Sequence, residues 1–65
     1  MTRTEKIKTA KVFNMLADEY VTRARRFRIE AEKAGSWGHS RVRNHWLSLM
    51  RCALTFIVTG QEALK

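Results

Sequence analysis

Sixty-five residues make one domain at most, and a chain this short buries little surface unless a disulfide, a metal or a partner stabilises it. Thirteen Lys and Arg against six Asp and Glu give a formal charge of +7 and a pI near 10.6, which favours polyanions, acidic protein faces or anionic membrane surfaces as partners. A single cysteine excludes an intramolecular disulfide and fits a reducing cytoplasm, so a second copy of the chain is the expected staple.

The polar start, Met1-Thr2-Arg3-Thr4-Glu5-Lys6, reads as no signal peptide. Thr2 followed three residues later by Glu5 reads instead as a capping box that starts a helix near Arg3. Nothing breaks a helix from there to Ala34, and Gly35 stands where a left-handed residue ends one. The predicted first helix therefore runs from about 3 to 34. On it Ala10, Phe13, Ala17, Tyr20, Ala24, Phe27, Ala31 and Ala34 alternate spacings of three and four, an unbroken seam along one face. Alanine recurs at every seventh residue, and an aromatic fills each of the first three gaps. Small residues admit another helix closely while the aromatics fill the space between.

Residues 35–40 form the predicted turn, with Ser36 and Ser40 as alternative caps for the second helix. Trp37 lies between Gly35 and Gly38. It can plug the open end of the hairpin, the slightly favoured reading, or stand exposed as a contact residue, since tryptophan and arginine are enriched in binding hot spots. The second helix is predicted from about 41 to 59, ended by Gly60, with 60–65 as a short tail. So short a connection makes the helices antiparallel.

The second helix carries two apolar rows. Val42, Trp46, Leu49, Ala53 and Phe56 should meet the first helix, while Leu47, Met50, Leu54 and Ile57 form a second row about one residue further round. Either the long first helix bends over both rows, or a second copy covers the outer one. The latter is preferred: an all-α antiparallel hairpin dimerising into a four-helix bundle through Leu47, Met50, Leu54 and Ile57.

Catalytic chemistry is not expected. His39 and His45 are six apart and share no helix face, no ligand-spaced carboxylates accompany them, and no glycine-rich phosphate loop or nucleophile–base set is present. Cys52 beside Ala53 is expected to be a small buried thiol. No cofactor or metal is implied.

Arg23, Arg25, Arg26 and Arg28 are the densest charge and spread over most of the outward arc of the first helix. Glu19, Glu30 and Glu32 stand four residues from Arg23, Arg26 and Arg28, so a self-paired solvated face is one reading. The other is a partner or nucleic-acid face made with Trp37, Arg41 and Arg43, to which Lys8, Lys11 and Arg51 could add. Arg41, Arg43 and Asn44 are the group near the turn able to reach base edges. Val12, Met15 and Ile29 are scattered outside the seam, so membrane insertion is not expected.

Tyr20, Ala24, Phe27 and Ala31, followed after the turn by Asn44, Trp46, Arg51 and Cys52, resemble the ANR family of small negative transcriptional regulators; Phe27 stands where that family usually has tryptophan. Size, basic charge and two-helix plan also resemble the small accessory early proteins that lambdoid phages encode between the exonuclease and excisionase genes. These resemblances imply a non-enzymatic regulator acting on a host or phage regulatory protein, in the host cytoplasm if phage-encoded. Direct DNA or RNA binding by the basic face is the alternative.

Overall fold

The computed structural model describes residues 2–65, and the fold is two helices: α1, Arg3–Lys33, and α2, Ser40–Ala63. They pack against one another as an antiparallel hairpin, a flat rod of 49 × 16 × 9 Å measured over Cα atoms. No strand occurs among the described residues.

The start of α1 is set by its first residues. Thr2 is extended and its hydroxyl accepts the Glu5 amide at 3.2 Å, satisfying one of the donors that a helix N-terminus leaves open. The end is a Schellman turn. Gly35 sits at φ +72°, the Ser36 amide reaches back to the Ala31 carbonyl at 2.9 Å, and the Gly35 amide reaches Glu32 at 3.1 Å. Ser36 also donates its hydroxyl to the Ala31 carbonyl, so it serves the end of α1. Neither serine caps α2. His39 occupies that position without a side-chain cap bond, and Ser40 is the first helical residue.

The alanine seam is the core. Ala10, Ala17, Ala24 and Ala31 are the buried residues of α1, with Ala24 wholly enclosed at 0% exposure. Phe13, Tyr20 and Phe27 between them are half-buried. From α2, Leu49 and Ala53 are buried and Val42, Trp46 and Phe56 half-buried, so the inner row is the one that meets α1. Phe56 fits between two aromatics of α1, its ring 6.1 Å from Phe13 and 5.4 Å from Tyr20. Ala34, last in the sequence pattern, is exposed as the C-cap of α1.

Two further expectations are corrected. Gly60 does not end α2, which continues to Ala63. Gly60 is buried, and a Cβ built there would lie 3.2 Å from the Phe13 Cβ and 3.5 Å from the Ala10 carbonyl oxygen. Its missing side chain lets the last turns of α2 approach α1, which outweighs a helix-propensity cost of roughly 1 kcal/mol. Cys52 is exposed, because it lies one residue off the seam on the flank that α1 leaves open. Of the two readings of the outer row, the bending of α1 over both rows is not seen: Leu47 and Leu54 remain 45% and 59% exposed, while Met50 and Ile57, nearer the seam, are half-buried.

The narrow polar side of α2 satisfies itself. Ser48, Thr55 and Thr59 each donate a hydroxyl to the carbonyl four residues back, at 3.1, 2.9 and 2.7 Å. Among the described residues no helix is long and apolar enough to cross a membrane.

Candidate interaction surface at the turn end

Charge is distributed unevenly along the rod. From Thr22 to His45, the half that includes the turn, there are seven Lys and Arg against two Glu; the remaining residues carry six against four. The turn half therefore holds five of the seven net positive charges. Rotation of α1 side chains around its axis, at 100° per residue, places Arg23, Arg25, Arg26 and Arg28 around the rod as a collar instead of a stripe.

The structure gathers one part of this collar into a cluster. Arg28 lies near the end of α1, and Trp37 leads out of the turn on the same side. The Arg28 guanidinium carbon is 4.8 Å from the centre of the Trp37 ring and 5.8 Å from that of Trp46. The two indoles meet edge to face at 5.7 Å and 84°. Glu32, one turn further along, accepts from the Arg28 Nε at 3.0 Å and holds the guanidinium over the rings. A guanidinium over an exposed aromatic face contributes about 0.5–1 kcal/mol, and the half-exposed ion pair adds less than about 1 kcal/mol. Trp37 combines both sequence readings: its ring meets Trp46 edge to face and lies under Arg28, yet the residue is only half-buried.

On the other flank Arg23 lies over Tyr20, 5.2 Å from the ring centre, and Phe27 meets His45 edge to face at 4.7 Å. Arg41 is one turn before His45 and so continues this flank; Arg43 is three residues before Trp46 and continues the first. Five of the seven predicted partner-face residues are thus divided between the two broad sides of the turn end, while Arg26 belongs to the outer surface of α1. They do not form one patch.

Of the three intrahelical ion pairs the spacing suggested, Arg28–Glu32 is the only one formed among the described residues. Arg23 turns to Tyr20 instead of Glu19, and Arg26 is exposed and unpaired from Glu30. Arg25, Arg41 and Arg43 are also exposed without ion pairs among the described residues. A shallow depression lined by Asp18, Glu19, Thr22, Arg23, Arg26, Phe27 and Glu30 belongs almost wholly to the outer surface of α1, where helix ridges bound it without a second wall. No group of three or more His, Cys, Asp or Glu among the described residues is placed to hold a metal.

The sequence named every member of the Arg28–Trp37–Trp46 cluster, but assigned Trp46 to the core and Arg28 to the outer face. The missing signal was tertiary: Trp37 comes back from the turn onto Trp46, and Arg28 is close enough to the end of α1 to reach both. Glu32 was legible as a four-residue partner. The stacking of His45 on Phe27 had no counterpart in the spacing, since it joins residues on different helices.

Comparison with protein-family models, with curated proteins and with solved structures finds no match to this chain.

Proposed function

We propose that this chain is a small non-enzymatic regulator, of phage or bacterial origin, that acts in the cytoplasm by docking its basic turn end on an acidic face of a transcriptional regulator or host factor. The observation that carries this reading is the Arg28–Trp37–Trp46 cluster within the most positive part of the molecule. Binding energy at interfaces concentrates in tryptophan and arginine, and a half-exposed indole already ordered by Arg28 and Trp46 loses little entropy on docking. The surrounding collar of Arg23, Arg25, Arg26, Arg41 and Arg43 would steer an acidic partner and raise its association rate. The likeness of Tyr20, Ala24, Phe27, Ala31, Asn44, Trp46, Arg51 and Cys52 to the ANR regulators supports the regulatory class. Affinity capture from host lysate tests the proposal. The expected result is a regulatory protein retained by the native chain and lost with Trp37→Ala or Arg28→Ala; capture unchanged by both variants would refute the assignment of the site.

A second reading, direct binding of DNA or RNA, is favoured by one observation: Arg23, Arg25, Arg26, Arg41 and Arg43 are free of carboxylate partners among the described residues. Phosphate contacts by such a collar would weaken steeply with salt, by orders of magnitude between about 50 and 200 mM for six or more contacts. A mobility-shift series across that range separates the readings, since Arg25→Ala/Arg26→Ala would reduce both the affinity and its salt slope.

A further inference from the structure

The hairpin has two broad sides, and their compositions differ. Arg28 reaches over Trp46 on one side, whereas Phe27 meets His45 on the other. Leu47 and Met50, one and four residues past Trp46, therefore belong to the Arg28 side; Cys52, seven past His45, belongs to the opposite one. The outer row of α2 lies about 110° round from the seam at 100° per residue, which puts it on a broad side and not on the thin edge of the rod. Leu47, Met50, Leu54, Ile57 and Val58 line it, with Leu47, Leu54 and Val58 between 45% and 59% exposed. Within the chain, six apolar side chains form the buried core; five are alanine, and the sixth is Leu49 at the margin of burial. More large apolar side chains stand outside this core than in it.

We infer that this side is covered by a second copy of the chain in an antiparallel, two-fold arrangement; because Arg28, Trp37 and Trp46 lie on the same side, self-association and the docking proposed above compete for it. Area favours a broad side. A face of 49 × 16 Å projects to about 780 Å², on the order of the roughly 800 Å² that each partner contributes to a stable interface, while the 9 Å edge falls far short. Self-complementarity comes from position: the row from Leu47 to Val58 is centred within a residue or two of the middle of α2, so a two-fold axis near Leu54 overlays the rods along their length. Charge selects the direction. A parallel pair would bring together two turn ends, each with seven basic and two acidic residues, within a Debye length of about 8 Å at physiological salt. The antiparallel pair places each turn end, net +5, beside the partner's terminal half, which is net +2 and holds four of the six acidic residues, so the repulsion is smaller. The two turn ends then lie at opposite ends of a four-helix bundle.

The test combines mass and distance. Light scattering of the native chain is expected to give twice the 7.6 kDa chain mass. A monomer at micromolar concentration overturns the inference. Leu54→Glu is expected to weaken the dimer at least tenfold, while Met15→Glu, at a 65% exposed apolar residue on the outer arc of α1, leaves it unchanged. Equal effects of the two variants overturn the choice of face. For direction, a spin label is placed at the turn in Cys52→Ser/Gly38→Cys, where Gly38 has nothing within 4 Å of an added side chain and Cys52 is exposed. A label separation on the order of the 49 Å rod length supports the antiparallel pair, and one under about 25 Å overturns it. The labelled chain keeps its apolar face intact, so this measurement does not depend on the Leu54→Glu variant remaining folded.

Discussion

At the scale of single residues, absent or minimal side chains decide how closely two helices approach. Gly60 is the sharpest case, because its neighbours are the Phe13 Cβ and the Ala10 backbone, neither the far end of a flexible side chain. Gly60→Leu is expected to force the helix ends apart and lower stability by about 1–3 kcal/mol, read as a lower melting temperature. Ala24→Leu, at the wholly enclosed centre of the seam, should cost a similar amount. Gly35 acts through conformation instead of space: nothing lies near an added Cβ, but φ is +72°, so Gly35→Ala should cost on the order of 1 kcal/mol without changing the packing. Arg28 differs again, being held by two weak interactions at the surface. Arg28→Ala is expected to lower stability by only about 1 kcal/mol, yet to shift tryptophan emission because Trp37 loses its cover.

At the scale of the element, each helix is bounded by a different chemistry. α1 has a side-chain cap at its start and a glycine turn at its end, both visible as Thr2-x-x-Glu5 and Gly35. Thr2→Ala should cost about 1 kcal/mol and fray the first turn, measurable by amide hydrogen exchange at Glu5. α2 has no side-chain cap, and its glycine lies inside it. Local rules read Gly60 as a terminator, since glycine is a poor helix former. The seam period gave the opposite answer: Phe56, Gly60 and Ala63 continue the alternation of four and three from Val42. Period outweighed propensity here because packing against α1 supplies more free energy than the glycine removes. For Cys52 local hydrophobicity was likewise the poorer guide, because a residue adjacent to the seam in sequence points 100° away from it.

At the scale of the whole molecule, a rod only two helices thick encloses almost nothing larger than alanine. Its apolar outer row and the Arg28–Trp37–Trp46 cluster share one broad side, so self-association and docking through that cluster draw on the same surface. If the outer row is covered by a second copy, thermal stability will depend on concentration: raising the protein concentration about a hundredfold should raise the melting temperature, whereas a folded monomer shows no such dependence. Differential scanning calorimetry over that range checks it.

The sequence by itself determined the two helices, the reversal between them and the faces they share. Those features repeat every few residues, and the positions of Ala10, Ala17, Ala24 and Ala31 against Leu49 and Ala53 leave one arrangement that buries them. Only the tertiary structure decided that α2 passes through Gly60, that Arg28 lies across Trp37 and Trp46, and that α1 covers one apolar row of α2 and leaves the other open. Each of these depends on the separation and rotation of two helices in space: the seam period of α2 runs through Gly60, but a period along one helix does not say how closely or at what angle the other approaches.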